Sequence, residues 1–282
     1  MKTKIYFLLA VIVFGIITAA FPVKANAAQT ILIQSTDTNV SEVVLSQSAK
    51  IISNRLKDYS NAKFEMKINP EQNQIQVTFT DNMDVKVAEK LLTQKGEIGF
   101  YKMYNRKSLS ENFKDSQHLY SLLKSNDENN NRVEIGCCSI PESTRVNEYL
   151  QSLEQNSTCK FVWSQPSKDS NVCLYALRTE KAPLLTGVDI ESMKSGNENK
   201  HFYIGINFNK PAVALWAEIT KQNIGNSIAI VLDNTVLAAP IVRSAIEGGK
   251  SMITGDYTQL EVKLIAALGN NGELPLSFKV IK

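Results

Sequence analysis

Apolar and polar residues alternate along the first third of the chain in a pattern typical of short strands and amphipathic helices. Every second residue is apolar at 64–68 and again at 75–79, and a run rich in turn-forming residues separates the two segments. Apolar residues at helical spacing lie on either side of this pair. The predicted elements are strands at 31–33, 64–68, 75–79 and 98–100 and helices at 41–57 and 84–95.

The last third of the chain repeats this order of elements. Its first helix begins at Pro211 and is closed by Gly225, which fits the preference for proline at the start of helices and glycine after their end. We expect Asp256 to cap its second helix. The predicted strands lie at 202–208, 228–232, 236–241 and 278–280.

Two runs of the order β-α-β-β-α-β predict an α+β fold in which two ferredoxin-like halves form a base. Between them, the periodicity is weaker and 125–132 is strongly polar, which indicates an inserted smaller head lobe. The expected domains are a signal peptide at 1–27, the first half of the base at 28–104, the head lobe at 105–180 and the second half of the base at 181–282.

The N-terminus has the pattern of an export signal. Lysines at 2 and 4 precede an uncharged apolar run at 5–20, and Ala25 and Ala27 have the spacing that signal peptidase accepts. We expect cleavage after Ala27 and a periplasmic or otherwise exported protein. The alternative is an uncleaved segment that anchors the protein, so that contact with the membrane is indirect or through this segment only.

The charge balance changes when this segment is removed. The whole chain has 31 Lys and Arg against 28 Asp and Glu, but Lys2, Lys4 and Lys24 lie in the predicted signal and no acidic residue does. The remaining chain is therefore neutral, and no basic stripe is visible. This pattern argues against a nucleic-acid partner.

The candidate nucleophiles and ligands carry little signal for catalysis. The two histidines, His118 and His201, and the four cysteines show no metal-ligand or catalytic spacing. We therefore expect no enzyme activity, no metal and no cofactor. Cys159 and Cys173 flank a predicted hairpin and could be joined by a disulfide, with buried thiols as the alternative.

Asp233 and Asn234 separate two apolar runs. Both residue types tolerate the positive φ angles of a two-residue type I′ turn, so we interpret them as a hairpin turn and not as a catalytic site. Pro240 cannot donate a hydrogen bond to a neighbouring strand, which predicts an edge strand or a bulge there.

Aromatic residues in the predicted head lobe are the candidates for binding. Phe161 and Trp163 lie two residues apart, hence on one face of a strand, and Tyr175 lies on the next strand. The three could line an apolar groove for unfolded polypeptide, or they could fill the core of the lobe.

Several short motifs in the last third resemble the first large periplasmic domain of the SecD family. They are LTGVD at 185–189, NIGNSIAIVLD at 223–233, AP at 239–240, ITG at 253–255 and GELP at 272–275. In the first half, IISNR at 51–55 and IGF at 98–100 are similar to the same domain. The resemblance implies a double ferredoxin-like base and a head that contacts emerging polypeptide, with exported polypeptides or envelope and translocase proteins as partners.

The resemblance does not extend to the membrane helices of that family, so we expect no proton-coupled activity. The preferred hypothesis is a non-enzymatic exported module that binds polypeptides or envelope proteins and is auxiliary to protein export. The alternatives are a structural partner of a membrane complex and a cysteine-dependent envelope hydrolase that would use Cys137 or Cys138.

Overall fold

A computed structural model describes residues 29–113, 116–123, 131–152, 158–180 and 183–281. The predicted signal peptide at 1–27 lies outside these residues. No helix in the described ranges is long and apolar enough to span a membrane.

The chain contains both strands and helices in nearly every part, which confirms the α+β class. The strands are β1 Gln29–Ser35, β2 Phe64–Asn69, β3 Gln74–Phe79, β4 Ile98–Lys102, β5 Glu134–Ser139, β6 Cys159–Ser164, β7 Asn171–Arg178, β8 Leu185–Thr186, β9 Ile190–Glu198, β10 His201–Phe208, β11 Ile228–Leu232, β12 Thr235–Ala238, β13 Lys250–Thr254 and β14 Phe278–Val280. The helices are α1 Glu42–Tyr59, α2 Val85–Thr93, α3 Arg106–Asn112, α4 Ser116–Leu122, α5 Ile140–Ser152, α6 Lys210–Gln222 and α7 Gln259–Asn270.

Side chains at the helix starts explain where the helices begin. The side chain of Ser41 caps α1 by accepting a hydrogen bond from the backbone N–H of Val44. The predicted cap of α7 at Asp256 is wrong, because Thr258 is the N-cap and forms a capping box with Glu261. The Thr258 hydroxyl and the Glu261 carboxylate three residues on satisfy each other's backbone N–H groups, and this places the start two residues later than expected.

The first sheet has the order β14-β1-β3-β2, and all its neighbouring strands are antiparallel. A ferredoxin-like half built from residues 28–104 alone would place β4 in this sheet, but β14 occupies that position. Ile98, Gly99 and Phe100 of β4 are all buried, and β4 pairs with β11 and β8 in another sheet, whereas β14 has three residues with Lys279 exposed, as suits an edge.

Two further sheets lie in the described part of the chain. One has the order β13-β10-β9, and the other has the order β5-β7-β6-β12-β11-β4-β8. In the seven-stranded sheet, β12 pairs with β6 in parallel, so this sheet joins strands of the predicted head lobe to strands of the predicted base. The division into base and head lobe stays a prediction, since one sheet runs through both.

Most buried apolar side chains of the described residues fall into three clusters. The largest lies among the first sheet, the sheet of β9, β10 and β13, and the helices α1, α2, α6 and α7. A second cluster lies on one face of β5, β6 and β7 and includes Leu109, Leu119 and Val146 from α3, α4 and α5. A third cluster lies on the other face of the seven-stranded sheet, around Val162, Tyr175 and Val231.

Candidate functional site

The three aromatic residues expected to bind polypeptide do not share one surface. In the antiparallel pairing of β6 with β7, Phe161 lies opposite Ala176, Trp163 lies opposite Leu174, and Tyr175 lies opposite Val162. Because side chains alternate along a strand, Phe161 and Trp163 point to one face of the sheet and Tyr175 points to the other. A single groove lined by all three is therefore not formed by the described residues.

Phe161 and Trp163 both pack against the cluster beneath α3, α4 and α5 and are only partly buried. The Phe161 ring meets Phe113 edge-on with 5.4 Å between ring centroids. The Trp163 indole Nε1 donates to Asn147 Oδ1 at 2.8 Å, which fixes the orientation of the ring. Tyr175 is buried on the opposite face, and burial raises the pKa of its hydroxyl.

The possible disulfide between Cys159 and Cys173 is not formed, because Cys173 is bonded to Cys137. The strand register explains the correction. Cys137 lies directly opposite Cys173 in the pairing of β5 with β7, whereas Cys159 lies opposite Arg178, five residues along the strand from Cys173. At ~3.4 Å per residue, that offset is far beyond the reach of a disulfide.

Cys137 cannot be a nucleophile while it is in the disulfide. Cys159 is partly buried, and burial raises the pKa of its thiol to about 12, so little of it is thiolate at neutral pH. Among the described residues, no group of three or more His, Cys, Asp and Glu side chains could hold a metal ion.

Asp233 and Asn234 form the two-residue turn between β11 and β12, with φ angles of 48° and 61°. The Asp233 carboxylate has a second role that the sequence did not reveal. Its oxygens accept hydrogen bonds from the backbone N–H groups of Gly96 at 3.0 Å and Glu97 at 2.8 Å. The turn therefore holds the loop that leads into β4.

Arg55 binds the same loop and is fully buried. Its guanidinium donates to the carbonyl oxygens of Gln94 at 2.6 Å, Lys95 at 2.7 Å and Gly272 at 2.8 Å. Burial lowers the pKa of Arg55 to about 10, and the Asp233 carboxylate partly offsets this effect. Arg55 thus remains charged at neutral pH and acts as a structural group.

Pro240 follows β12 in a segment that still pairs with the residues at the start of β11, since the Ile228 N–H donates to the Pro240 carbonyl oxygen and Ser227 forms a bridge with Ile241. β12 ends at Ala238, two residues before Pro240, and β12 lies between β6 and β11. β12 itself is therefore internal, but β6 pairs with it only at Thr235 and Val236, so the expectation of an edge strand or a bulge at Pro240 stays a prediction. The pairing of β11 with β12 shifts register between Ile230 and Val231, which is a bulge or irregularity in the strand that leads to Pro240.

The segment that follows β12 forms one wall of an apolar groove that the sequence did not reveal. The groove has a volume of about 360 Å³, and β13 forms its other wall. Trp216, Ile228 and Ile230 lie at its floor and are buried. Ile241 and Met252, which are 63% and 51% exposed, lie at its rim.

The floor of the groove is held in place by aromatic packing and a hydrogen bond. The Trp216 ring lies 5.0 Å from Phe208 and 5.3 Å from Phe100, measured between ring centroids. Its Nε1 donates to Ser251 Oγ at 3.0 Å, which ties α6 to β13. Trp216 therefore belongs to the core and also forms part of this surface.

Two cations lie along the groove. Arg243 and Lys250 line it and are exposed, and neither forms an ion pair with another described residue. None of the described residues that line the groove is acidic. The groove therefore combines an apolar floor with positive charge.

Residues 164–276 match the family model described as SecDF, P1 head subdomain. Among curated proteins, the SecD subunit of the protein translocase of Rickettsia prowazekii (strain Madrid E) is 37% identical over 109 residues, which are 38% of this chain and 21% of that protein. The SecDF subunit of Thermus thermophilus is 36% identical over 99 residues, 35% of this chain and 14% of that protein. The match thus spans about a fifth or less of the length of these relatives.

Two solved structures share the fold. One is of SecDF as a membrane component that enhances protein export, with a TM-score of 0.55 and 22% identity over 90% of this chain and 98% of that chain. The other is SecDF in a super-membrane-facing form, with a TM-score of 0.59 and 22% identity over 90% of this chain and 30% of that chain. The sequence matches and the shared fold confirm that this chain resembles the first periplasmic domain of SecD.

Proposed function

We propose that this protein is a non-enzymatic module of protein export that binds extended segments of polypeptide. The observation that carries the proposal is the groove between β13 and the segment after β12. All the residues that line it lie within 164–276, the part of the chain that matches the SecDF family model. The groove is thus built by the part of the chain for which the relation to export proteins is strongest.

The chemistry of the groove suits an unfolded chain. A polypeptide in transit exposes apolar side chains that would be buried after folding, and a preformed apolar floor binds such side chains without a large ordering cost. Ile241 and Met252 at the rim are exposed to solvent and gain from being covered. The adaptable thioether of Met252 fits varied sequences.

Phe161 and Trp163 supply a second contact in this proposal, through the predicted head lobe. Both rings are partly exposed on the surface formed by β6, α3 and α5. Of the three predicted binding residues, Tyr175 is the least accessible to a polypeptide, because its side chain is buried on the other face. An exported location and a translocase partner belong to the same proposal, and its support is the resemblance to SecD and SecDF.

Site-specific photocrosslinking to a preprotein arrested during export tests the proposal. A photoreactive residue is placed at Met252 in the groove, at Trp163 in the predicted head lobe, and at Val43 as a control. Val43 is 77% exposed on α1 and lies outside the groove, so it reports random collisions. We expect labelling at Met252 well above that at Val43. Equal labelling at these two positions would overturn the proposal, and labelling at Trp163 reports on the second contact separately.

A further inference from the structure

We infer that the groove takes its polypeptide as an added strand on the free edge of β13, and that it prefers segments in which carboxylates lie beside the apolar residues. This inference rests on the proposed function and adds to it a binding geometry and a class of ligand. It follows from the pairing of β13, the residues on either side of the groove, and the charges at its rim.

β13 is an edge strand that pairs only with β10 in the described part of the chain. No residue of β10 lines the groove, whereas Lys250, Ser251 and Met252 of β13 do. The groove therefore runs along the side of β13 that faces away from β10. Along this side, no backbone hydrogen bond joins β13 to another described residue. An edge with unsatisfied backbone groups is a template for a further strand.

The two walls of the groove fit the side chains of such a strand. Successive side chains of an extended peptide point to opposite faces, so every second one can enter the groove while its neighbours face solvent. Inside the groove, these side chains would contact Trp216, Ile228 and Ile230, which are buried and fixed in position. The geometry thus favours segments in which apolar residues alternate with polar ones.

The charge at the rim adds a preference for acidic segments. Arg243 and Lys250 are exposed at the groove and are not paired with another described residue, and none of the described lining residues is acidic. A carboxylate in the bound segment can pair with either cation, whereas a lysine there meets like charge. Two exposed pairs of this kind correspond to a preference of roughly fivefold to tenfold in affinity.

Labelled peptides test both the added strand and the preference for carboxylates. Their binding to the purified protein is measured by fluorescence anisotropy. The parent peptide has nine residues that alternate valine with serine, followed by two glutamates, and its sister peptide ends in two lysines. We expect the glutamate peptide to bind roughly fivefold to tenfold more tightly at low salt. The double variant Arg243→Glu, Lys250→Glu should reverse this preference. The control variant Lys194→Glu, Lys279→Glu makes the same change of charge at exposed residues of β9 and β14 and should keep it.

Backbone methylation tests the added strand. An edge strand receives hydrogen bonds from only every second residue of its neighbour. N-methylation of one alternate set of residues should therefore weaken binding about tenfold or more, and methylation of the other set should leave it nearly unchanged. Equal effects of the two sets, or no preference for glutamate over lysine, would overturn the inference while polypeptide binding stands. Failure of every peptide to bind would overturn the inference and, together with equal crosslinking at Met252 and Val43, the proposed function as well.

Discussion

Arg55 and Asp233 bind consecutive peptide groups of one loop, the loop between α2 and β4. Arg55 donates to the carbonyl oxygens of Gln94 and Lys95, and Asp233 accepts from the N–H groups of the next two residues. The two charged groups come from α1 and from the hairpin of β11 and β12, which are 178 positions apart in the chain by their residue numbers. The loop therefore joins the first third of the chain to the last third.

Replacement of Asp233 by asparagine should destabilise the protein by about 1–2 kcal/mol. Asparagine tolerates the positive φ of the turn, so the substitution removes the charge and one acceptor but keeps the backbone conformation. Thermal unfolding followed by circular dichroism measures the effect. Asn234→Gly is the matched control, since glycine also accepts positive φ, and it should change stability by less than about 0.5 kcal/mol. Equal stability of Asp233→Asn and the unaltered protein would contradict the role assigned to the carboxylate.

Replacement of Arg55 by methionine should cost about 3 kcal/mol or more. The substitution leaves the carbonyl oxygens of Gln94, Lys95 and Gly272 without their donor in a buried site. Arg55→Lys should recover only part of the loss, because an ammonium cannot reproduce the planar fork of the guanidinium. Urea unfolding measures both variants. Arg243→Met, which alters an exposed arginine, serves as the control, and a loss for Arg55→Met no larger than for this control would disprove the assignment.

The pairing of the cysteines gives a third prediction. Peptide mapping without reduction should find Cys137 linked to Cys173. The bridge closes a segment with a sequence separation of 36, for which the entropy of the unfolded chain predicts about 3–4 kcal/mol of stabilisation. Cys137→Ser should therefore lower the urea midpoint by the same amount as a reducing agent does. Cys159→Ala should leave the sensitivity to reduction unchanged, and a Cys159–Cys173 peptide in the map would refute the pairing.

Alkaline pH gives a fourth prediction, at Tyr257. Its hydroxyl donates to the carbonyl oxygen of Leu237 at 2.6 Å, and burial together with the Glu261 carboxylate raises its pKa to about 12. In the unfolded chain a tyrosine ionises near pH 10, so the stability from this group is complete below pH 10 and is lost as the pH rises towards 12. Tyr257→Phe should cost about 1 kcal/mol at pH 8. The difference in free energy of unfolding between the two proteins should shrink from pH 9 to pH 12, and a constant difference would show that Tyr257 does not titrate in this way.

The sequence predicts most local structure of this protein because local structure depends on neighbouring residues. The apolar spacing places α1 at 41–57 against an observed range of Glu42–Tyr59, and the residue types at 233 and 234 predict a turn that the φ angles show. The capping box of α7 could also have been found, because Thr258 and Glu261 have the required spacing.

The remaining features depend on contacts between distant residues, which no local pattern encodes. β14 could pair with any strand that exposes an edge, and only the assembled sheet places it beside β1. Cys173 has three potential partners in the sequence, and the strand register selects Cys137. The groove needs α6, β11 and β13 to be brought together, so its residues give no signal until the sheets are assembled.

The position of β14 in the first sheet has a consequence for the timing of folding. Ile33 of β1 pairs with Val280 of β14, so one edge of the first sheet cannot close until the residues up to 280 have been synthesised. During synthesis, that edge of β1 stays unpaired while the segments between β1 and β14 are made. An unpaired strand edge can pair with another chain and so promote aggregation. The first sheet is therefore completed late in folding. Its strands β1, β2 and β3 come from the first third of the chain, but its edge strand β14 is made some 240 residues after β1.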